Sequence, residues 1–121
     1  MKKSYSEILL LGENTCLNKT IFEIVASQND LNITHVKDIK QLKASSIQSD
    51  LIVADLVTIR GELNNIFQSI KREFPLSPVL AIHYHSEFEI IQRIKHAGAD
   101  AYLNSEMNED ELLSSLRDLI H

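Results

Sequence analysis

Short, uniformly apolar runs alternate along the whole chain with longer segments in which apolar residues recur every three or four positions. The first run is Ile8 to Leu11. Behind it Leu17, Ile21, Ile24 and Val25 mark one face of a helix that Asn14 is placed to cap. Leu31 to Val36 predicts a second strand, and Ile39 with Leu42 a short helix. Asp50 introduces Leu51-Ile-Val-Ala54, which ends at Asp55 and reads as a strand buried on both faces. Leu63, Ile66, Phe67, Ile70 and Phe74 fall at helical spacing until Pro75 and Pro78 close that segment. Val79 to Ile82 predicts the fourth strand. Ser86 and Glu89 have capping-box spacing before a helix carrying Ile90, Ile91 and Ile94, which stops near Gly98. Ala101 to Leu103 predicts a fifth strand, and Asn108 with Glu111 repeats the capping pattern for a last helix that buries Leu112, Leu113, Leu116 and Leu119.

Five strands and five helices in strict alternation predict right-handed crossovers and a parallel sheet covered on both faces, a three-layer α/β sandwich. A chain of 121 residues has room for one such domain, spanning 1–121. The 17 acidic residues outnumber the 12 lysines and arginines, leaving a net charge of −5 and no basic field for a phosphate backbone. Nucleic-acid binding by this domain alone is therefore not expected. Cys16 is the only cysteine, which precludes an intrachain disulfide and, without zinc-finger spacing, suits a reducing cytoplasm. No stretch approaches the roughly 20 apolar residues that span a bilayer, so no membrane role is expected. Gly12 to Thr20 imitates a phosphate-binding loop, but Asn18 stands where the glycine before the lysine is required.

In open parallel sheets chemistry gathers at the carboxyl ends of the strands. Here those ends are Gly12 to Asn14, Asp55, His83 to His85 and Asn104 to Glu106. Together with Asp50-Leu-Ile-Val-Ala-Asp55-Leu and Ala97-Gly-Ala-Asp-Ala-Tyr-Leu103, these windows resemble the receiver domain of bacterial response regulators over essentially the whole chain. The second stretch is most similar to receivers of helix-turn-helix regulators of the LuxR/NarL type. The resemblance implies a flavodoxin-like (βα)5 fold with strand order 2-1-3-4-5.

It also implies a chemistry. In that family an acidic pair and an acceptor aspartate bind Mg²⁺, the aspartate takes a phosphoryl group, a lysine pairs with the phosphate, and a hydroxyl closes over it and draws an aromatic residue inward. By resemblance Asp55 stands at the phosphoacceptor position and Tyr102 at the switch aromatic. Glu13, Asp55 and the backbone carbonyl of Val57 would be the metal ligands. The departures are chemical. Gly12 and Glu13 occupy the acidic pair, so one carboxylate is missing and Mg²⁺ binding is expected to be weak. His83 stands at the hydroxyl position. Ser105 stands at the lysine position, and no lysine follows Lys95. Serine offers a neutral hydrogen bond where lysine offers a full charge. Ile59 and Leu63 replace the usual Pro and Gly, so the loop after Asp55 is expected to take a different path.

These readings lead to an atypical receiver, a pseudo-receiver that is not an enzyme and that signals through protein contacts without phosphorylation. Its partners would be a histidine kinase, an output domain or another regulator, met through the fourth helix, fifth strand and fifth helix, with a homodimer left open. The alternative is a working receiver phosphorylated on Asp55; a remoter one is a small flavodoxin-like ligand binder or enzyme. His83 and His85, two apart, suggest either a site for Mn²⁺ or Zn²⁺ with Asp55 and Glu13, or a pH-sensitive plug in the pocket. Tyr102 is expected to be half-buried with its hydroxyl in water, Cys16 to be a small buried hydrophobe, and His35, His96 and His121 to lie at the surface.

Overall fold

The computed structural model describes residues 5–44 and 48–120; His121 lies outside them. Five strands, β1 (Ser6–Leu11), β2 (Leu31–Val36), β3 (Leu51–Asp55), β4 (Val79–His83) and β5 (Ala101–Asn104), alternate with α1 (Cys16–Ala26), α2 (Ile39–Ala44), α3 (Leu63–Glu73), α4 (Phe88–Ala97) and α5 (Glu109–Ile120). All pairings are parallel, in the order β2-β1-β3-β4-β5. This is the predicted flavodoxin-like topology, with β3 and its terminal Asp55 at the centre.

Alternation along each strand divides the core into two layers. Ile8 and Leu10 of β1, Leu51 and Val53 of β3, and Leu80 and Ile82 of β4 face α1 and α5, where Ile21, Val25, Leu112 and Leu116 meet them. Leu9, Leu11, Ile52, Ala54 and Ala81 face the other way, onto Leu42 of α2, Ile66, Phe67 and Ile70 of α3, and Ile94 of α4. A strand apolar at every position is required here, since both faces are covered.

Three helix starts test the capping expectations. Asn108 does cap α5: its Oδ1 accepts from the Glu111 amide at 2.8 Å while the Glu111 carboxylate accepts from the Asn108 amide at 3.2 Å. At α1 the cap is Thr15 rather than Asn14, because Cys16 is the first helical residue and the Thr15 hydroxyl reaches the Asn18 amide at 3.1 Å. Ser86 does not cap α4, which starts one residue later behind Glu87 with no side-chain cap. The Ser86 hydroxyl instead accepts from Asn104 Nδ2 at 3.2 Å.

The Ala97-to-Leu103 stretch acts structurally. Asp100 accepts from the Val79 amide at 2.8 Å and from Lys71 Nζ at 3.3 Å, and its own amide donates to the Val79 carbonyl, so one side chain joins the start of β4 to α3. Gly98 ends α4 at φ +144°, and a Cβ there would lie 2.9 Å from Phe67 Cβ and 3.0 Å from its Cγ. Both the backbone angle and the close approach require glycine. Gly98→Ala should therefore lower the unfolding free energy by about 1–3 kcal/mol. Urea denaturation followed by circular dichroism measures it, and an unchanged midpoint would contradict this account.

Candidate functional site

The carboxyl ends of β1, β3 and β4 converge on Asp55, which is 1% exposed. A buried carboxyl group needs donors, and this one has three. Its Oδ2 accepts from Asn18 Nδ2 at 2.9 Å and from Thr58 Oγ1 at 2.8 Å; its Oδ1 accepts from the Val57 amide at 3.1 Å. The amides of Thr58 and Ile59 both turn back to the Asp55 carbonyl, at 3.3 and 3.2 Å, which closes the loop after β3 into one tight turn. Ile59 is buried in the core beside α3, an apolar anchor for that turn.

Asn18 and Thr58 also bind the loop after β1. Asn18 Nδ2 donates to the Glu13 carbonyl at 2.7 Å, and Thr58 Oγ1 accepts from the Glu13 amide at 2.9 Å. Glu13 thus takes part through its backbone, while its side chain stays at the exposed surface. Gly12 is the geometric partner of this arrangement. At φ +154°, a Cβ on Gly12 would meet Asp55 Cβ at 2.8 Å, Asn18 Nδ2 at 2.9 Å and Thr58 Oγ1 at 3.1 Å. The volume that an acidic side chain would need is filled by the asparagine amide and the threonine hydroxyl. His35 fixes the same loop from the neighbouring strand, its Nε2 donating to the Gly12 carbonyl at 2.7 Å, so it is half-buried and bonded rather than a plain surface residue.

On the opposite side lie His83, Tyr102 and Ser105. Ser105 donates its amide to the His83 carbonyl at 2.9 Å, and none of the hydrogen bonds to Asp55 among the described residues comes from it. His83 Nδ1 accepts from the Tyr84 amide at 2.9 Å, which places the ring proton on Nε2. Its ring stacks on His85, with centroids 4.5 Å apart and planes 20° from parallel. Burial is the main reason that the imidazole titrates below its ordinary 6.5; His85 lowers it further, and Asp55 acts in the opposite sense. Two stacked rings do not form a chelate. No group of three histidine, cysteine, aspartate or glutamate side chains among the described residues is placed to hold a metal ion, so the expected cluster of His83, Asp55 and Glu13 does not assemble.

The Tyr102 hydroxyl is not in water. It reaches the carbonyls of His83 at 3.0 Å and His85 at 2.5 Å, and burial holds its proton on more firmly than usual. Asn104 Nδ2 adds a bond to the His85 carbonyl at 3.3 Å, so β5 grips the loop after β4 at two points. Cys16 is exposed, because the first position of α1 faces away from the sheet; His96 is exposed as well.

Asn18 and Thr58 are the functional-site residues that the sequence reading passed over. The signal for Asn18 was a polar residue on an apolar stripe: with Ile21 and Val25 it forms the buried face of α1. Thr58, three residues after Asp55, sits where a hydroxyl closes a local turn.

No protein-family model matches this sequence, and no curated protein does either. The fold has many counterparts among solved structures. The chemotaxis response regulator CheY4 of Vibrio cholerae is similar with a TM-score of 0.81 at 16% identity, over 95% of this chain and 98% of that one. The receiver domain of the Francisella response regulator 1452 is similar at 0.80 and 20% identity, covering 95% and 96%. A LuxR-family two-component response regulator from Aurantimonas sp. SI85-9A1 gives 0.80 at 14% identity, covering 97% and 86%. The chain has the fold of receiver domains.

Two predictions test the site. Asn18→Ala should cost about 1–3 kcal/mol, since Asp55 stays buried with one donor fewer, and Asn18→Asp should cost more at neutral pH because two carboxyl groups would then share the site. Urea denaturation of both variants gives the order, and the reverse order would refute it. The second concerns pH. A histidine whose folded value lies below its unfolded 6.5 takes up its proton more readily when unfolded, so stability falls as pH drops from near 6.5 through the folded value. In His83→Gln that part of the slope should vanish in denaturation curves measured across the window.

Proposed function

We propose that this chain is a receiver-type signalling module that works without phosphoryl transfer, presenting a fixed surface to protein partners. One observation carries the reading: the carboxyl group at the acceptor position is buried and already satisfied by the chain's own amide, hydroxyl and backbone donors. Nucleophilic attack needs a free lone pair in line with the phosphorus and a charge to stabilise the transferring oxygens. Oδ2 is held by Asn18 and Thr58 and Oδ1 by the Val57 amide, and at 1% exposure neither oxygen is open to an incoming phosphoryl donor without displacing that cover.

The charge is missing as well. Ser105 is neutral, and His83, held below its ordinary titration range, is an uncharged imidazole at neutral pH. A divalent ion such as Mg²⁺ fits the residues present poorly: Gly12 brings no carboxylate, the Glu13 side chain is exposed, and Asn18 Nδ2 already donates to Asp55 Oδ2, which leaves the buried Asn18 Oδ1, without a partner among the described residues, as a neutral oxygen only.

What remains is a surface. Among the structures that share this fold are a chemotaxis response regulator and a two-component response regulator of the LuxR family. In this chain the face of α4, β5 and α5 is the candidate contact, since Tyr102 and Asn104 of β5 bind the loop before α4. Tyr84 and Phe88, 61% and 74% exposed, lie beside it as apolar contact residues. The partner is a protein, a kinase, an output domain or another regulator, met in the cytoplasm. No helix among the described residues is long and apolar enough to cross a membrane.

Incubation with acetyl phosphate and Mg²⁺, followed by intact-mass spectrometry, tests this directly. The expected mass is unchanged, and Asp55→Asn should bind the same partners as the wild type. A stoichiometric phosphoryl adduct that Asp55→Asn abolishes would establish a working receiver instead.

A further inference from the structure

Beside the closed aspartate site lies an open one. A cavity of about 460 Å³ is enclosed by the loops after β1, β2 and β3 and the start of α2, within the size range of small-molecule sites. Lys37, Lys40 and Arg60 line it, arriving from three separate segments: the loop after β2, α2 itself, and the loop after β3. They are three of the chain's 12 lysines and arginines, gathered on one recess of a protein whose net charge is −5. None of their side chains has a hydrogen-bond or ion-pair partner among the described residues. Two acids share the rim. Asp38 Oδ1 accepts from the Gln41 amide at 2.8 Å and Glu13 brings the second carboxylate, so the cations of the lining exceed its acids by one. The floor is apolar, from Ile39 and the buried Ile59.

A recess lined by one more cation than carboxylates, over an apolar floor, suits an anion that carries an organic body. We propose that this cavity binds a small phosphomonoester. A guanidinium fork and two ammonium groups match the several oxygens and the double charge of a phosphate monoester better than a single carboxylate does. The body has somewhere to go. A separate recess of about 140 Å³ shares Ile39 and Arg60 with it and reaches α3, where Asn65 and Ser69 offer neutral hydrogen bonds.

The site is joined to Asp55 by one residue. Thr58 lines the cavity, and its hydroxyl donates to Asp55 and accepts from the Glu13 amide. A bound phosphomonoester therefore presses on the same hydrogen-bond network that a phosphoryl group on Asp55 would alter. This noncovalent input rests on the reading that Asp55 is not phosphorylated; the binding itself does not.

Titration of the ¹⁵N-labelled full chain with adenosine 5′-monophosphate and, separately, inorganic phosphate, at constant ionic strength and without divalent metal, decides it. The amides of Lys37 to Lys40 and Thr58 to Arg60 should shift saturably, with those of Glu13 and Val57 following. The nucleotide should bind at least about tenfold more tightly than inorganic phosphate, about 1.4 kcal/mol. Inorganic phosphate binding as well as the nucleotide would refute the organic-body part and leave a plain anion site in its place. The double variant Lys40→Gln with Arg60→Gln should lose at least about tenfold in affinity, whereas Lys95→Gln on α4 should lose nothing. All three side chains are exposed, so thermal melts should be unchanged, and Lys37→Gln provides a second cavity variant. No saturation by about 10 mM, or equal weakening by Lys95→Gln, would overturn the site. A phosphoryl adduct on Asp55 in the acetyl phosphate experiment would refute the signalling reading and leave this binding result standing.

Discussion

A buried carboxyl group at the end of the central strand is the constraint around which this molecule is arranged. Leaving Asp55 without donors at 1% exposure would cost several kcal/mol, so the surrounding chain must supply them. It does so from α1, through Asn18, and from the loop after β3, through Thr58 and the Val57 amide. The rest of the site follows from that choice. With the asparagine amide beside the carboxyl, residue 12 has no room for a Cβ, and its backbone adopts a positive φ that glycine tolerates. Glycine at position 12 and asparagine at position 18 are therefore one structural solution.

The pattern of apolar residues was enough for the scaffold. Uniform runs such as Leu51 to Ala54 signal strands covered on both sides, and helices such as α5 carry their own start signals in Asn108 and Glu111. Positions decided by a single residue of register were less legible: the caps of α1 and α4 fall one residue after those expected, because the capping residue is set by where the strand before it lets go of the sheet. At the candidate site only the residues at strand ends were legible. Asp55, Gly12 and Ser105 are visible as presence or absence at the ends of strands. Asn18 is not, since a helical wheel counts it as polar and assigns it to solvent unless the buried stripe through Ile21 and Val25 is extended back one turn.

Tyr102 shows how the same limit applies to dynamics. The sequence places an aromatic residue on an edge strand and cannot say whether its hydroxyl is solvated. In the fold, β4 continues through His83 and then turns, so that the carbonyls of His83 and His85 both face the tyrosine. Two acceptors for one donor, reinforced by Asn104, hold the loop before α4 against β5. The cluster of His83, Tyr84 and His85 rings packs that loop further, with centroids 4.4 to 4.5 Å apart, the two histidines stacked and the tyrosine tilted against both.

The two ends of this arrangement differ in what they leave open. Around Asp55 the side-chain donors are spoken for by acceptors of the chain itself, whereas the adjoining cavity carries three cations with no side-chain partner among the described residues. A fold that encloses Asp55 with its own side chains and opens a charged recess one hydroxyl away sets the two apart without disconnecting them. Thr58 is the connection. Any displacement of its hydroxyl must be answered by both Asp55 and Glu13, since a buried acceptor and a backbone donor lose their partner together. That coupling requires neither a metal nor a phosphoryl group, only a change in one hydrogen-bonded residue.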